Sequence, residues 1–335
     1  MTFTSIQDKS QIENERLIRE DIFEAMTTTF GIHIKNFSEI KLGYMNLKWK
    51  VQTNIGDLFV KQYNKKRYPD TMIKGLETSL KHQTFLNEKG IPCPRLLSHD
   101  GKYVLLTPHG ERFVIMRMCE GEVIKPGTAN VEQLFHLGQI VGRMHKILND
   151  HQQSKLPLHW DILSKESMVE HWPKRWEEAN IFGCDETITA LKKQQKIIEE
   201  IDLSIFSACE TGWAHWDLFA DNILFKKDSV SAILDFDRMH YVYQEFDISR
   251  PILSCCLYEG QMDLEKVSAF ARGFRETQLL SVDEIMRSIK LTWWKEATML
   301  EVEKENDSIP LRRFQVENKW VADNWNRLSE LFSSV

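Results

Sequence analysis

The spacing of apolar residues changes character early in the chain. Across residues 10–30 the apolar residues recur at helical intervals with charged residues between them, which predicts a helix. Across residues 47–53 they alternate with polar residues, and residues 58–63 form a second strand-like segment after a turn at residues 54–57. This arrangement predicts a β-hairpin.

A second helix and a second hairpin are predicted to follow. The apolar residues return to helical spacing across residues 70–89, and Gly90 with the segment Pro92-Cys93-Pro94 ends the helix. Two further strands are expected at residues 103–107 and 112–118. The order helix, hairpin, helix, hairpin describes a small α+β lobe.

The pattern becomes mainly helical beyond residue 120, so we expect a first lobe over residues 1–120 and a larger second lobe over residues 121–335. Helices are predicted at residues 131–149, around 167–179, at 186–206, and in three or more segments from residue 264 onward. One small β element, at residues 222–225 and 230–234, interrupts the helices. The predicted fold class is α+β.

Composition and charge narrow the possible functions. The 335 residues include 42% hydrophobic and 27% charged residues, a balance that excludes a disordered or fibrous chain. The sequence lacks an apolar run of the roughly 18–20 residues that span a membrane, and its first residues do not resemble a signal peptide. The net charge of −6, without a basic tail, argues against nucleic acid as a partner. None of the six cysteines forms a CxxC pair, which fits reduced thiols in the cytoplasm.

The strongest chemical signal is the pattern HxDxxxxN, formed by His215, Asp217 and Asn222 and followed by the acidic pair Asp235 and Asp237. Phosphoryl transfer requires positioning and neutralisation of charge, which these residue types supply. Asp217 would accept the proton of the acceptor hydroxyl or orient that hydroxyl. Asn222 and Asp235 would offer oxygen ligands to Mg²⁺.

A structural interpretation of the same residues stays open. A histidine and an aspartate also cap helices and turns, although that does not account for the hairpin and the acidic pair that follow. His215 is expected to brace the catalytic loop through the backbone. Asp237 would either assist the metal or occupy a turn.

Around these residues the sequence resembles the aminoglycoside phosphotransferase/choline kinase family, relatives of the protein kinases, over roughly residues 37–255. Six further motifs stand in the order of that family: Gly43-Tyr44-Met45-Asn46, Phe59-Val60-Lys61, Gly90-Ile91-Pro92-Cys93-Pro94, Met116-Arg117-Met118-Cys119-Glu120-Gly121, Leu137-Gly138 to Met144-His145, and Phe246-Asp247-Ile248. The resemblance implies a bilobal protein-kinase-like fold that binds ATP and Mg²⁺. It also implies transfer of the γ-phosphoryl group to a hydroxyl of a small molecule.

The resemblance assigns a nucleotide site to the first lobe. Its implied contacts are Gly43, Asn46, Lys61, Glu77 and, through the backbone of the hinge, Arg117, Met118 and Cys119. Lys61 would contact the α and β phosphates, although a strand lysine between apolar residues also extends to solvent. Glu77 would pair with Lys61, but it stands about two residues too early relative to Pro92, so the pair and its absence both stay open.

Three functions are compatible with these patterns. Phe219 stands where protein kinases place a lysine, and no long activation segment follows Asp235, which favours a small acceptor over a Ser/Thr protein kinase. The tryptophan content and the hinge resemble a spore-coat kinase-like branch, which leaves a non-catalytic, spore-associated role open.

Trp293 and Trp294 would line an acceptor pocket or belong to the core. An aromatic cage for a quaternary ammonium group is a further alternative.

Overall fold

The computed structural model describes residues 4–41, 45–150, 155–299 and 309–335, with side chains described from residue 11 onward and, in the last range, from residue 313. By its internal contacts the chain separates into two compact units, Met1–Glu120 and Gly121–Val335. That the first unit binds nucleotide and the second binds the acceptor stays a prediction.

The first unit is built on an antiparallel sheet of five strands in the order β1-β2-β3-β5-β4. Its strands are β1 Ile34–Glu39, β2 Lys48–Thr53, β3 Gly56–Gln62, β4 Leu105–Leu106 and β5 Arg112–Arg117. Its helices are α1 Thr4–Phe30 and α2 Asp70–Glu88.

One helix covers each face of this sheet. Successive residues of a strand point to opposite faces, so Ile115 and Val114 of β5 belong to different cores. Ile115 packs in a buried cluster with Met26 of α1, and Val114 packs in a second cluster with Leu80 of α2. The two helices therefore close the sheet from both sides.

The predicted hairpin of the first unit is confirmed, because β2 and β3 pair in register with Thr53 opposite Gly56. The edge strand β1 was not predicted, since Ile34 is its only residue that is not exposed and no apolar alternation marks it. The first strand of the second hairpin is shorter than expected and is reduced to Leu105–Leu106.

The second unit is mainly helical. Its helices are α3 Val131–Asn149, α4 Lys165–Val169, α5 Trp172–Ile181, α6 Asp185–Glu200, α7 Phe246–Cys256, α8 Leu264–Arg275, α9 Val282–Glu296, α10 Ile309–Asn324 and α11 Leu328–Leu331. Three antiparallel strand pairs accompany them: β6 Thr211–Ala214 with β9 His240–Tyr243, β7 Ile223–Lys226 with β8 Ser229–Ile233, and β10 Leu257–Tyr258 with β11 Gln261–Met262. Over the described ranges of both units, each helix is too short or too polar to cross a membrane.

Several elements of this unit differ from the prediction. The helix α3 and the hairpin β7–β8 lie where the sequence placed them. The long helix expected at residues 186–206 ends at Glu200, and a 3₁₀ turn occupies Leu203–Ala208. Helix α7 was not predicted: it contains Pro251, a residue that usually interrupts a helix, and all of its residues are buried.

Glycines allow α3 and α8 to cross at close range. A Cβ atom at Gly138 of α3 would lie 2.0 Å from the carbonyl oxygen of Phe270, and one at Gly273 of α8 would lie 2.0 Å from that of Phe135. Both distances are far below any van der Waals contact, so the crossing requires residues without side chains at these two positions. The crossing fixes α3 within the unit.

The tryptophan pair of α9 belongs to the core. Trp293 is 1% exposed and Trp294 is 0% exposed. Each indole N–H donates to a main-chain carbonyl, of Asn318 at 3.2 Å and of Leu163 at 3.0 Å. Of the two interpretations of this pair, the structure therefore supports the core.

Candidate active site

The loop that carries Asp217 is held by a buried aspartate. Strand β6 ends at Ala214, and Trp216 then adopts a left-handed backbone with φ of 62°. The fully buried carboxylate of Asp247 accepts hydrogen bonds from the main-chain N–H groups of His215, at 2.6 Å, and of Trp216, at 2.7 Å. It also accepts a hydrogen bond from the ring Nε2 of His145 at 3.1 Å. These charge-assisted hydrogen bonds offset the strained backbone at Trp216.

His215 braces the loop and does not face the pocket. Its ring is fully buried, and its Nδ1 accepts the main-chain N–H of Asp217 at 3.3 Å. The ring proton therefore lies on Nε2, which donates to the carbonyl oxygen of Leu234 at 2.9 Å. His215 thus ties the end of β8 to the loop and acts as a positioning residue.

Asp217 and Asn222 are brought together by the same loop. The side-chain Nδ2 of Asn222 donates to the Asp217 carboxylate at 2.9 Å and to the Asp217 carbonyl oxygen at 2.8 Å. Burial raises the pKa of Asp217, an effect that the neighbouring Arg238 opposes and Asp235 reinforces. A carboxylate held in this way accepts a proton more readily than an exposed aspartate does.

The candidate metal ligands flank the hairpin β7–β8. Asn222 precedes Ile223 and Asp235 follows Leu234, and Ile223 pairs with Ile233 across the hairpin. Asp235 has a left-handed backbone with φ of 56°, and Asp237 is 8% exposed in the turn that follows. Asn222 and Asp235 therefore lie at the same end of the hairpin, where the main-chain N–H of Leu234 donates to the carbonyl oxygen of Asn222 at 2.8 Å.

These residues fit Mg²⁺ only as a partial ligand set. The amide orientation that Asp217 imposes on Asn222 leaves its Oδ1 without a hydrogen bond in the part of the chain that the structure describes. Within that part, no three His, Cys, Asp or Glu side chains are grouped so that they alone could hold a metal. Mg²⁺ commonly takes one or two protein oxygens and completes its shell with phosphates and water, so the donor set suits it.

A cavity of about 150 Å³ adjoins Asp217. Its aromatic wall includes Trp216 and Phe246, and the ammonium of Lys295 lies over both rings, 4.9 Å and 5.7 Å from their centroids. Arg238 also lines the cavity, with its Nη1 3.6 Å from the carboxylate of Asp217. Burial lowers the pKa of Lys295. Neither Lys295 nor Arg238 could be predicted from the sequence, because neither belongs to a local motif.

Phe219 is enclosed by two arginines. The guanidinium carbons of Arg250 and Arg313 lie 4.3 Å and 4.4 Å from its ring centroid. Arg250 is buried and paired with two carboxylates, those of Glu296 and Glu317. An aromatic ring in place of the protein-kinase lysine therefore packs against two cations that carboxylates of this unit already neutralise.

In the first unit, Lys61 is buried on the α2 face of the sheet. It is 3% exposed and lies between Phe59 and Tyr63 on the same side of β3, with its ammonium 5.4 Å from the Tyr63 ring centroid. Asn46 is also buried, and its Oδ1 accepts the main-chain N–H of Asn64 at 3.1 Å. Gly43 lies outside the described residues.

The predicted hinge directly follows β5. The guanidinium of Arg117 donates to the carbonyl oxygen of Ile55, and the N–H of Met118 donates to that of Asp57 at 3.2 Å. Cys119 is half-buried, and this burial raises the pKa of its thiol. The N–H of Met118 is therefore already used within the unit, so any recognition of adenine by backbone N–H groups would fall to another residue of the hinge.

Of the two alternatives for Glu77, a pair with Lys61 or its absence, the structure supports the absence. The carboxylate of Glu77 accepts the main-chain N–H groups of Tyr103, at 3.0 Å, and Val104, at 2.9 Å. Among the described residues it forms no ion pair with Lys61. A helix turns by about 100° per residue, so a position two residues early faces another direction. Glu77 instead joins α2 to the segment before β4.

The fold and the loop together define the class of protein-kinase-like phosphotransferases. Two solved structures have a similar fold. One is a microcompartment-associated aminopropanol kinase, with a TM-score of 0.61 and 16% identity, and the match covers 91% of this chain and 97% of that one. The other is the amicoumacin kinase hAmiN in complex with AMP-PNP, Ca²⁺ and Ami, with a TM-score of 0.55 and 18% identity, and the match covers 91% of this chain and 96% of that one. A homoserine kinase of Methylobacillus glycogenes is 24% identical over 254 residues, which are 73% of this chain and 72% of that protein.

The sequence model of the phosphotransferase enzyme family (APH) matches residues 36–272. The chain belongs to this family. The resemblance found in the sequence is confirmed, and the protein is an enzyme of the small-molecule phosphotransferase class.

Proposed function

We propose that this phosphotransferase moves the γ-phosphoryl group of ATP to a hydroxyl of a small molecule, with Asp217 as the catalytic base. The observation that carries the proposal is the position of the Asp217 carboxylate, which Asn222 fixes beside a small cavity. An acceptor hydroxyl in that cavity would lie within reach of the carboxylate.

The proposed transfer forms one bond and breaks another. The acceptor oxygen forms a bond to the γ-phosphorus, and the bond from that phosphorus to the β–γ bridging oxygen breaks, so that ADP leaves. The hydroxyl proton passes to Asp217. The cation Arg238, 3.6 Å from that carboxylate, stands where it can attract the negative charge of the transferred group.

We assign Mg²⁺ to the oxygen atoms of Asn222 and Asp235, with Asp237 as a further candidate. When bound, the ion would neutralise charge on the nucleotide phosphates. Lys61, the hinge around Cys119 and the segment that contains Asn46 are our candidates for holding the nucleotide. The family membership and the AMP-PNP in the hAmiN structure support ATP as the donor.

Neither alternative function gains an observation of its own. After Asp235 the chain passes through a 3₁₀ turn and strand β9 directly into α7, without the long segment that a protein substrate would need. The catalytic loop is fully braced, which a purely structural protein would not require. A cytoplasmic location and the spore-coat branch stay predictions.

Replacing the proposed base tests the proposal. We expect Asp217→Asn to lower the rate of phosphoryl transfer by about 10²–10⁴-fold, because the proton acceptor is lost. Nucleotide affinity should change by no more than about twofold, since the amide keeps the shape of the side chain. Transfer is measured from γ-labelled ATP to a panel of small alcohols, and affinity by titration calorimetry.

Asp228→Asn is the matched control, because it removes the same charge from a residue that lies exposed in the turn between β7 and β8. It should retain parental transfer. Parental transfer by Asp217→Asn would contradict the assignment of the base.

A further inference from the structure

The cavity beside Asp217 is lined by basic side chains that differ in their partners. Three basic residues line it, Arg238, Arg250 and Lys295, against the two acidic residues Asp217 and Glu296. Opposite charges within a few ångströms neutralise each other, so the partner of each cation decides which charge remains for a ligand.

Two of these cations are already satisfied. The buried guanidinium of Arg250 is paired with Glu296 and Glu317, which together supply two negative charges. Arg238 lies beside the catalytic carboxylate of Asp217. The positive charge of Arg250 is therefore balanced by Glu296 and Glu317, and that of Arg238 by Asp217.

Lys295 differs from both. Over the ranges that the structure describes, its ammonium reaches no carboxylate within salt-bridge distance and donates no hydrogen bond. It lies over the rings of Trp216 and Phe246 at 4.9 Å and 5.7 Å. Aromatic faces attract a cation but leave its hydrogen-bond donors unused. Lys295 is therefore a cation with donors available to a ligand.

A cationic acceptor fits this wall poorly. The face of Trp216 that would attract a quaternary ammonium group already carries the ammonium of Lys295. A second cation would have to displace it and would also meet Arg238. An anionic group would meet an unpaired ammonium in a partly dry, aromatic setting, where charge-assisted hydrogen bonds are strong.

The cavity also favours a small acceptor. Its volume of about 150 Å³ is below the ~300–1,000 Å³ typical of pockets for larger ligands. Asp217 and Lys295 both line this cavity, so a small acceptor could reach both side chains.

We infer that the acceptor is a small hydroxyl compound with a carboxylate or similar anionic group, and that Lys295 binds this group. This inference rests on the proposed function, because it assumes that the cavity beside Asp217 receives the acceptor. It assigns Lys295 as a residue that determines specificity.

The test compares alcohols of equal size that differ in charge. Transfer from γ-labelled ATP is measured for γ-hydroxybutyrate, butanediol and aminobutanol, and for homoserine against its alcohol homoserinol. We expect kcat/KM to favour the carboxylate member of each set by about 10- to 100-fold, which corresponds to one charge-assisted hydrogen bond.

Variants of Lys295 identify the residue responsible. Lys295→Met should remove most of this preference by raising KM for the carboxylate compounds about 10- to 100-fold, with little change for the neutral ones. Lys295→Arg should restore it, because the charge returns. Lys290→Met is the matched control, since Lys290 lies on the same helix over another tryptophan ring, Trp325, at 5.0 Å, and does not line the cavity.

The outcomes separate the two proposals. Equal or better use of the neutral or cationic alcohols would overturn the inference and leave the phosphotransferase function intact. A preference that persists in Lys295→Met, with the folded state verified by its melting temperature, would overturn the role of Lys295. If the enzyme transferred phosphate neither to these compounds nor to any other alcohol, the proposed function would instead be contradicted.

Discussion

At the scale of single residues, the active-site loop depends on side chains that are remote in sequence. Asp247 accepts the N–H groups of His215 and Trp216 and thereby sets the direction of Asp217. The pattern HxDxxxxN could predict Asp217 and Asn222, because the two residues lie five apart and meet within one loop. Lys295 could not be predicted, because only the packing of α9 brings it to the cavity.

The six cysteines differ in how far they are buried. All six are free, and Cys93, Cys255 and Cys256 are buried. Burial raises the pKa of Cys93 and of Cys255 to about 12. These two thiols therefore remain protonated and unreactive at neutral pH in the folded protein.

Replacing Glu77 tests its contact with the main-chain N–H groups of Tyr103 and Val104. Glu77→Ala should lower the free energy of unfolding by about 1–3 kcal/mol, because the N–H groups of Tyr103 and Val104 lose their acceptor. Affinity for ATP should stay within about twofold, since Glu77 does not pair with Lys61. Urea unfolding and nucleotide titration measure the two quantities.

Glu88→Ala is the control, because Glu88 is exposed on the same helix and its removal should change stability by less than about 0.5 kcal/mol. A tenfold loss of ATP affinity in Glu77→Ala, without loss of stability, would show that Glu77 serves the nucleotide after all.

At the scale of elements, local signals were sufficient for helix α3 and for the hairpin β2–β3. Helix α3 begins at a capping box formed by Asn130 and Gln133, and its predicted bounds agree with the structure. The hairpin β2–β3 is likewise marked by alternation and a turn. Strand β1 was not predicted because it is almost entirely exposed and lacks apolar alternation, and α7 was not predicted because it contains Pro251.

The close crossing of α3 and α8 predicts that adding one methyl group at the contact destabilises the protein. Gly138→Ala should destabilise the protein by about 1–3 kcal/mol or more, because the added Cβ would lie 2.0 Å from the Phe270 carbonyl oxygen and the helices must separate. Thermal or urea unfolding measures the loss.

Gly75→Ala is the matched substitution in α2, where a Cβ meets nothing within 4 Å. It should stabilise the protein by up to about 1 kcal/mol through helix propensity. Equal effects of the two substitutions would contradict the close approach of α3 and α8.

At the scale of the whole molecule, the family and the fold class could be predicted because several local motifs recur in one order along the chain. The net charge of −6 argues against extended polyanions as partners. It does not describe the basic residues that line the cavity beside Asp217, which are brought there from different elements. The proposed acceptor class therefore rests on the structure, whereas the enzyme class could be predicted from the sequence.

The central claim is that this chain phosphorylates a hydroxyl of a small molecule through Asp217. The most direct measurement incubates the purified enzyme with Mg²⁺, γ-labelled ATP and a panel of anionic, neutral and cationic alcohols, and separates the labelled products. We expect a labelled phosphate monoester of a small alcohol, formed in step with ADP and lost with Asp217→Asn. Label found only on protein or as inorganic phosphate, or equal labelling by the variant, would contradict it.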